Sequence, residues 1–213
     1  GVKFMALPEQ SPFKRVPRFA EKRHVRYVPP EADFWAVHAQ ACAQDKVMLL
    51  AMLHTAGRKG EILGLMWHDV DFSSRTIRLS TRKRMGGSLE HDHVPMTQEL
   101  HDALRAHRSK ANSVYVFAKA TGRRYTHRVH LMQYLCGLAG VKTFGFHAIR
   151  HLSASILDKA GLELSTIQAI LRHKSATTTA RYLHSLRGTK AALDEAFSGK
   201  VVAMKKAPTE ATR

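Results

Sequence analysis

Residues 47–54, VMLLAMLH, limit the possible folds of this chain more than any other segment. Apolar side chains fill almost every position of the segment. A helix that is apolar on all sides must be surrounded by other elements, so we expect a central helix from about Asp45 to Thr55. Such a helix requires a substantial core, which a chain of 213 residues can build.

Helical patterns dominate the sequence around this segment, and a strand pattern interrupts them once. Further helices are expected at about 31–41, 58–67, 97–108, 126–139, 147–160, 163–171, 175–185 and 189–197. The runs DFSSRTIRLSTRKR and EHDHVPM have strand character and flank MGGSL, a hairpin turn with two glycines. Together with WHDVDF they predict a mixed α+β fold, mostly α-helical with a small three-stranded antiparallel sheet.

Three parts follow from composition along the chain. Residues 1–30 are basic and hold five of the seven prolines, which is typical of an extended linker or arm. Residues 31–197 carry the periodic patterns and form the predicted domain. Residues 198–213 lack periodicity and are expected to be disordered. Since the first residue is Gly rather than Met, we expect that an upstream part is missing.

The charge of the chain is strongly positive. Thirty-four Lys and Arg against seventeen Asp and Glu give a formal charge of +17 and a pI near 10.3. A polyanionic partner usually compensates such an excess; nucleic acid is the first candidate and an acidic membrane surface the second. No apolar run approaches the ~18 residues of a membrane span. Cys42 and Cys136 lack metal-type spacing, so we expect a reducing, cytoplasmic setting.

Four motifs carry groups suited to phosphoryl transfer. They are TAGRKGEILGLMW with Arg58, the hairpin with Lys83, HAIRH with His147 and Arg150, and LRHKSATTTARYLH with His173 and Tyr182. Arginine forks can hold the nonbridging oxygens of a phosphodiester. Cationic neighbours favour the phenolate of a tyrosine nucleophile, and a lysine or imidazole can protonate the departing oxygen. This set needs no metal and no cofactor.

In order and spacing, these motifs resemble the catalytic domain of the tyrosine recombinases, the phage integrase family. That family shows an arginine after a T-G-type turn, a hairpin lysine, H-x-x-R, L-G-H, and a tyrosine nine residues after that histidine. The resemblance covers about residues 28–197. It implies a site-specific DNA recombinase, an integrase of a phage or another mobile element, that cuts and rejoins strands through a 3′-phosphotyrosine, without metal or ATP.

The resemblance also implies roles and partners. Arg58 and Arg150 would clamp the scissile phosphate, and Tyr182 would attack it. Lys83 would be the general acid, His147 a proton handler and His173 a hydrogen-bond donor to the phosphate. The partner would be double-stranded DNA, bound by a tetramer that is monomeric without DNA, and residues 1–30 would include the link to a missing N-terminal DNA-binding domain.

Supporting and DNA-binding residues complete the predicted site. Glu61 would support Arg58, and His151 would support the site beside His147. The expected DNA-binding residues are Lys59, Arg82, Arg84, Arg123, Arg124, Arg172, Lys174 and Arg181. Two departures from the family stand out: LRH replaces L-G-H, which is harmless if Arg172 points to solvent or DNA, and TAG replaces the frequent T-G-L.

Plainer interpretations remain for several of these residues. Arg58 could only cap a helix and pair with Glu61, and Arg82 or Arg84 could replace Lys83 as the acid. His147 and His151 have zinc-like spacing, but Ala148 stands where a metalloprotease has glutamate, and the same question arises for His91 and His93. We expect no metal at either pair.

Two other function classes also stay open: a type IB topoisomerase-like enzyme, and a catalytically inactive basic DNA-binding module. Several hydrophobic side chains, by contrast, are assigned to the core: Trp35, Trp67, Ile156, Leu157, Leu162, Ile167, Ile170 and Leu171.

Overall fold

The computed structural model describes residues 27–82 and 89–172. The helices are α1 (Glu31–Gln40), α2 (Ala43–Thr55), α3 (Lys59–Leu63), α4 (Gln98–Arg108), α5 (Leu131–Ala139), α6 (Phe146–Lys159) and α7 (Leu164–Leu171). The strands are β1 (Val70–Asp71), β2 (Thr76–Arg82) and β3 (Leu89–Pro95). The predicted helices at 175–185 and 189–197 and the predicted tail lie outside the described residues, as do residues 1–26 of the predicted arm.

Helix α2 is the central element, as its all-apolar sequence predicts. Met48, Leu49 and Ala51 are fully buried, and the helix packs against α1, α3, α4 and α6. Ser153 fixes α6 to it, because its hydroxyl donates to the carbonyl oxygen of Leu53 at 2.6 Å. The C-terminal end of α2 is thereby held against α6 and becomes a fixed point for the site.

The three strands form one antiparallel sheet in the order β1-β2-β3. Ile77 pairs with Val94, and Thr81 with Glu90. Because side chains alternate across a strand, Thr81 lies on the same face as the buried Ile77 and Leu79. That face meets α3. The predicted mixed α+β fold with one small antiparallel sheet is therefore confirmed.

A small apolar cluster holds α7 beside the end of α2. Ala56, Ala154, Ile167 and Leu171 form it, each at most 1% exposed. The prediction that Ile167 and Leu171 point inward is confirmed. The cluster fixes the last turn of α7 next to the turn that follows α2.

Four other core predictions hold only in part. Ile170 is half-buried, while Ile156 packs against the main core and Leu157 and Leu162 against the small cluster, all three partly buried.

Two ordered contacts hold the long segment between α4 and α5. Arg128 forms a buried ion pair with Asp45 and lies over the Tyr125 ring. Gln44 donates to the carbonyl oxygen of Ala118 at 3.1 Å and accepts from its N–H at 3.1 Å. The segment is thus fixed to α2 without being helical. The predicted start of a helix at 126 was wrong, since the Arg128 ion pair keeps this stretch in the loop and α5 begins at Leu131.

Two further predictions need correction at the N-terminal edge. Trp35 is 36% exposed, because it follows Phe34 on α1 and so points away from the core that Phe34 enters. Its indole N–H donates to Glu31 at 3.3 Å. Trp67 is buried as predicted.

Residues 27–30, assigned to the arm, pack on the domain: Tyr27 and Val28 contact the core and Pro29 is buried.

Candidate active site

The turn between α2 and α3 presents Arg58. Ala56 ends α2 in the left-handed conformation with φ 48°, and Gly57 then leads to Arg58 at the N-terminal cap of α3. A Cβ on Gly57 would lie 2.7 Å from Ile62 Cδ1 and 2.9 Å from Thr55 Oγ1. Since Ile62 is fully buried, only glycine fits there. The turn formed by Thr55, Ala56 and Gly57 therefore fixes the position of Arg58 at the start of α3.

Glu61 is the carboxylate around which this turn is built. Its Oε1 accepts from Arg58 Nη1 at 2.8 Å and from the hydroxyl of Thr81. Its Oε2 accepts from the Arg58 backbone N–H at 2.9 Å and from Arg172 Nη2 at 2.7 Å. The contact expected between Glu61 and Arg58 is present. The same carboxylate also joins α3 to β2 and to the end of α7.

The pKa of Glu61 reflects these contacts. Burial by itself raises it, but the hydrogen bonds from Thr81 and from the Arg58 backbone, with the charge and hydrogen bond of Arg172, lower the pKa to about 2. Glu61 is therefore a carboxylate at neutral pH, and we assign it no proton-transfer role.

Arg150 connects the ends of two helices. It lies on α6 and is 3% exposed. One of its terminal nitrogens donates to the carbonyl oxygen of Ala56, at the end of α2, and the other to that of Leu171, at the end of α7. Helix C-termini attract cations, because their last carbonyl groups lack helical partners. Arg150 thus brings the turn before Arg58 next to the turn that leads to His173.

Positive charge is concentrated around Arg150. Burial, and then the charges of Arg58 and Arg172, lower the pKa of Arg150 to about 10, while Glu61 opposes the shift. Arg150 stays charged at neutral pH. These three guanidiniums and the one carboxylate leave a formal charge of +2. A cluster with this excess favours an anion, and the Arg58 side chain is 39% exposed and open to one.

His147 and His151 lie one helical turn apart on α6. Their ring centroids are 4.4 Å apart at an interplanar angle of 72°. His147 is exposed and His151 is 4% exposed. His147 therefore stands at the surface three residues before Arg150, and His151 packs beneath it. In residues 27–82 and 89–172 the structure contains no group of three or more side chains that could hold a metal ion.

Arg172 points inward, which differs from the expected orientation toward solvent or DNA. Its side chain is 8% exposed and pairs with Glu61. The backbone at this position is also unusual: Arg172 caps α7 in the left-handed conformation, with φ 53° and ψ 44°. Glycine adopts this conformation without strain, and in the family's pattern glycine stands here. The Arg172 side chain is thus no exposed phosphate contact in this structure.

The other predicted DNA-binding residues divide into two groups. Lys59, Arg123 and Arg124 are exposed, and Arg124 borders a cavity that Gly60 and Glu61 also line. The remaining predicted groups lie outside the described side chains: Arg82, Lys83, Arg84, His173, Lys174, Arg181 and Tyr182.

Sequence reasoning missed two members of the cluster. Thr81 was not singled out, although strand alternation places it on the buried face with Ile77 and Leu79. The inward contact of Arg172 had a weaker signal, namely an arginine in a position where the backbone favours glycine. Both residues donate hydrogen bonds to Glu61, which lies 20 residues from Thr81 and 111 residues from Arg172 in sequence.

The comparison with known proteins agrees with this geometry. Residues 34–188 match the model of the phage integrase family. The match covers more than half of the chain, so the chain belongs to the phage integrase family of tyrosine recombinases.

Curated relatives are named as tyrosine recombinases. XerC of Chlamydia caviae is 34% identical over 145 residues, which are 64% of this chain and 46% of that protein. A XerC-like recombinase of Caldanaerobacter subterraneus is 27% identical over 176 residues, which are 65% of this chain and 45% of the relative. The chain thus spans about half the length of these relatives.

Solved structures share the fold. The crystal structure of XerA recombinase superposes with a TM-score of 0.67 and 23% identity, covering 85% of this chain and 66% of that chain. The Tn1549 transposon integrase in complex with a circular intermediate DNA gives 0.65 and 19%, covering 76% and 62%. A lambda integrase dimer bound to a core site gives 0.62 and 19%, covering 81% and 64%. At these identities the likeness establishes the fold.

Proposed function

We propose that this chain is the catalytic part of a site-specific DNA recombinase, with Tyr182 as the nucleophile. One observation carries the proposal. Arg58 and Arg150, more than ninety residues apart in sequence, are brought together by Glu61 and by the carbonyl groups of Ala56 and Leu171. The chain then continues from Leu171 into the stretch that holds His173 and Tyr182.

The proposed reaction has two balanced steps. The Tyr182 oxygen attacks the scissile phosphorus and gives its proton to His147, while the bond to the 5′ oxygen breaks and Lys83 gives that oxygen a proton. The products are a 3′-phosphotyrosine and a free 5′ hydroxyl. The 5′ hydroxyl of a partner strand then attacks the phosphotyrosine and gives its proton to Lys83, while the released tyrosine takes its proton back from His147. The energy of the phosphodiester bond is thereby conserved without ATP.

The described arginines are suited to the charge of this reaction. A phosphodiester carries one negative charge that shifts over its nonbridging oxygens during transfer. Arg58 uses one terminal nitrogen on Glu61, which leaves its other side-chain donors available for phosphate. Removing one preorganised donor of this kind costs about 10²–10³-fold in rate. His147 would handle the tyrosine proton, and His173 would donate to a nonbridging oxygen.

Double-stranded DNA is the proposed partner. The formal charge of +17 and the exposed Lys59, Arg123 and Arg124 suit a phosphate backbone. Structures with the same fold include recombinases in complex with DNA. We propose a monomer without DNA, a tetramer on paired recombination sites and a nucleoid-associated location. Within the described residues, no helix combines the length and hydrophobicity needed to cross a membrane.

A covalent-adduct assay tests the proposal. The chain is incubated in EDTA with a nicked duplex that carries the junction sequence of the source element, so that the cleaved fragment diffuses away and the adduct accumulates. We expect an SDS-resistant adduct with wild type and none with Tyr182→Phe, at equal DNA affinity. An adduct of equal yield with Tyr182→Phe contradicts the proposed nucleophile.

The same substrate separates the alternative functions. A DNA-binding module without activity gives tight, salt-sensitive binding and no adduct. A topoisomerase-like enzyme relaxes supercoiled DNA that lacks the junction sequence, whereas a site-specific recombinase requires that sequence. Strand transfer between two junction duplexes supports the recombinase.

A further inference from the structure

Arg172 is an unusual residue at an unusual backbone position. It ends α7 with φ 53°, a conformation that side chains other than glycine rarely adopt. Its guanidinium is directed into the domain, where Nη2 lies 2.7 Å from Glu61 Oε2 and Nη1 lies 3.8 Å from Asp92 Oδ2. A strained backbone conformation persists only where surrounding contacts stabilise it. For Arg172 the contact with Glu61 is such an interaction.

Glu61 needs a second cation if Arg58 is to serve the phosphate. Two of the four donors to its oxygens come from Arg58, and the hydroxyl of Thr81 carries no charge. Within the described residues, Arg172 is therefore the remaining charged donor to this carboxylate. Without it, the negative charge of Glu61 would cancel that of Arg58 at the place where a phosphodiester has to bind.

We propose that Arg172 is a charge-compensating and positioning residue: by neutralising Glu61 it leaves the positive charge of Arg58 available for the scissile phosphate. The inference rests on the proposed function. It adds a residue to the machinery at the position where the family's pattern has glycine.

The surroundings of Arg172 favour this role over a purely structural one. In the described part of the chain, its Nε and Nη1 are buried and form no hydrogen bond. Among the residues described, Nη1 has only the ion-pair contact with Asp92 at 3.8 Å. Donors buried without a hydrogen bond destabilise a fold, so this arginine is poorly suited to a purely structural role. Its charge nevertheless reaches the site, since it contributes to the lowered pKa of Arg150.

Three variants test the proposal in single-turnover cleavage at saturating protein. Arg172→Gly removes the charge and installs the residue that suits the backbone, so the variant should fold. Arg75→Gly is the matched control, because Arg75 also has a positive φ of 52° and is exposed. The third variant combines Arg172→Gly with Glu61→Gln, which removes the charge that Arg172 would compensate.

Adding Glu61→Gln to Arg172→Gly should raise the cleavage rate if Arg172 compensates charge, and lower it if Arg172 is only a structural tether. Removing a donor that contacts the reacting phosphate costs about 10²–10³-fold in rate. Because Arg172 acts only through Glu61, we expect a smaller loss, on the order of tenfold, for Arg172→Gly and none for Arg75→Gly. Adding Glu61→Gln should recover part of the rate. A rate for Arg172→Gly equal to wild type overturns the inference. A slower rate that falls further with Glu61→Gln also overturns it, because a structural tether would behave in this way.

Equilibrium binding separates a failure of this inference from a failure of the proposed function. If wild type forms no adduct, the proposed function fails, and the affinity for the uncleaved duplex then decides the inference. Charge compensation predicts that Arg172→Gly weakens binding more than Arg75→Gly does, and that Glu61→Gln restores it. Equal affinities for all four proteins overturn it.

Discussion

Replacing Arg150 by lysine tests whether this residue, which we propose as a phosphate contact, also stabilises the fold. The two terminal nitrogens of Arg150 donate to carbonyl groups at the ends of two different helices, Ala56 on α2 and Leu171 on α7. The residue is 3% exposed, so water cannot replace a lost donor. A lysine ammonium is a compact point charge and does not have the fork that spans both carbonyl groups.

The size of the effect follows from the bonds that are lost. A hydrogen bond to a charged group contributes about 1.5–3 kcal/mol. Arg150→Lys keeps one of the two, so we expect it to lower the free energy of unfolding by about 1.5–3 kcal/mol. For a chain of this size that corresponds to a fall in Tm of about 3–12 °C.

Urea unfolding followed by circular dichroism measures this difference. Arg124→Lys is the control, because Arg124 is exposed and its substitution should change stability by no more than about 0.5 kcal/mol. If Arg150→Lys is as stable as the control, the argument that Arg150 joins the two helix ends is refuted. Cleavage by any Arg150 variant should be measured at a temperature at which the variant is fully folded, so that lost stability is not mistaken for lost activity.

Three other substitutions have defined outcomes. Gly57→Ala should lower the free energy of unfolding by about 1–3 kcal/mol through overpacking, whereas Gly60→Ala, whose Cβ meets nothing within 4 Å, should not destabilise; urea unfolding of both compares them. Asp45→Ala leaves Arg128 buried without its partner and should cost about 3–5 kcal/mol, with faster limited proteolysis between residues 118 and 130; unchanged proteolysis contradicts this. Glu61→Gln should lower the free energy of unfolding at pH 7. Because the pKa of Glu61 is lowered from 4.5 to about 2 in the folded protein, the difference in stability between wild type and variant should shrink as pH falls through that range. A difference that does not change with pH in urea unfolding contradicts the ion-pair account.

The elements that sequence predicted well are those with a local pattern. The all-apolar run of α2 and the strand character of β2 and β3 depend on neighbouring residues, so the local sequence pattern was sufficient for these elements. The start of α5 was missed because Arg128 is held by Asp45, 83 residues earlier. No local pattern contains that contact.

The candidate site shows the same division. The motifs singled out Arg58, Glu61 and Arg150, which the structure brings close together, while the role of His147 stays a prediction. The direction of Arg172 could not be predicted, because its partner Glu61 lies 111 residues away. The glycine in the family's pattern is consistent with the left-handed backbone at this position. Where the side chain goes is shown only by its contacts with Glu61 on α3 and Asp92 on β3.

Mapping the covalent bond by mass spectrometry is the most direct test of the central claim. The adduct formed in EDTA on the nicked duplex is treated with nuclease and protease, and the peptide that retains the phosphate is sequenced. The account predicts a phosphotyrosine at Tyr182. A phosphate on any other residue, in a protein that still cleaves the junction, would contradict it.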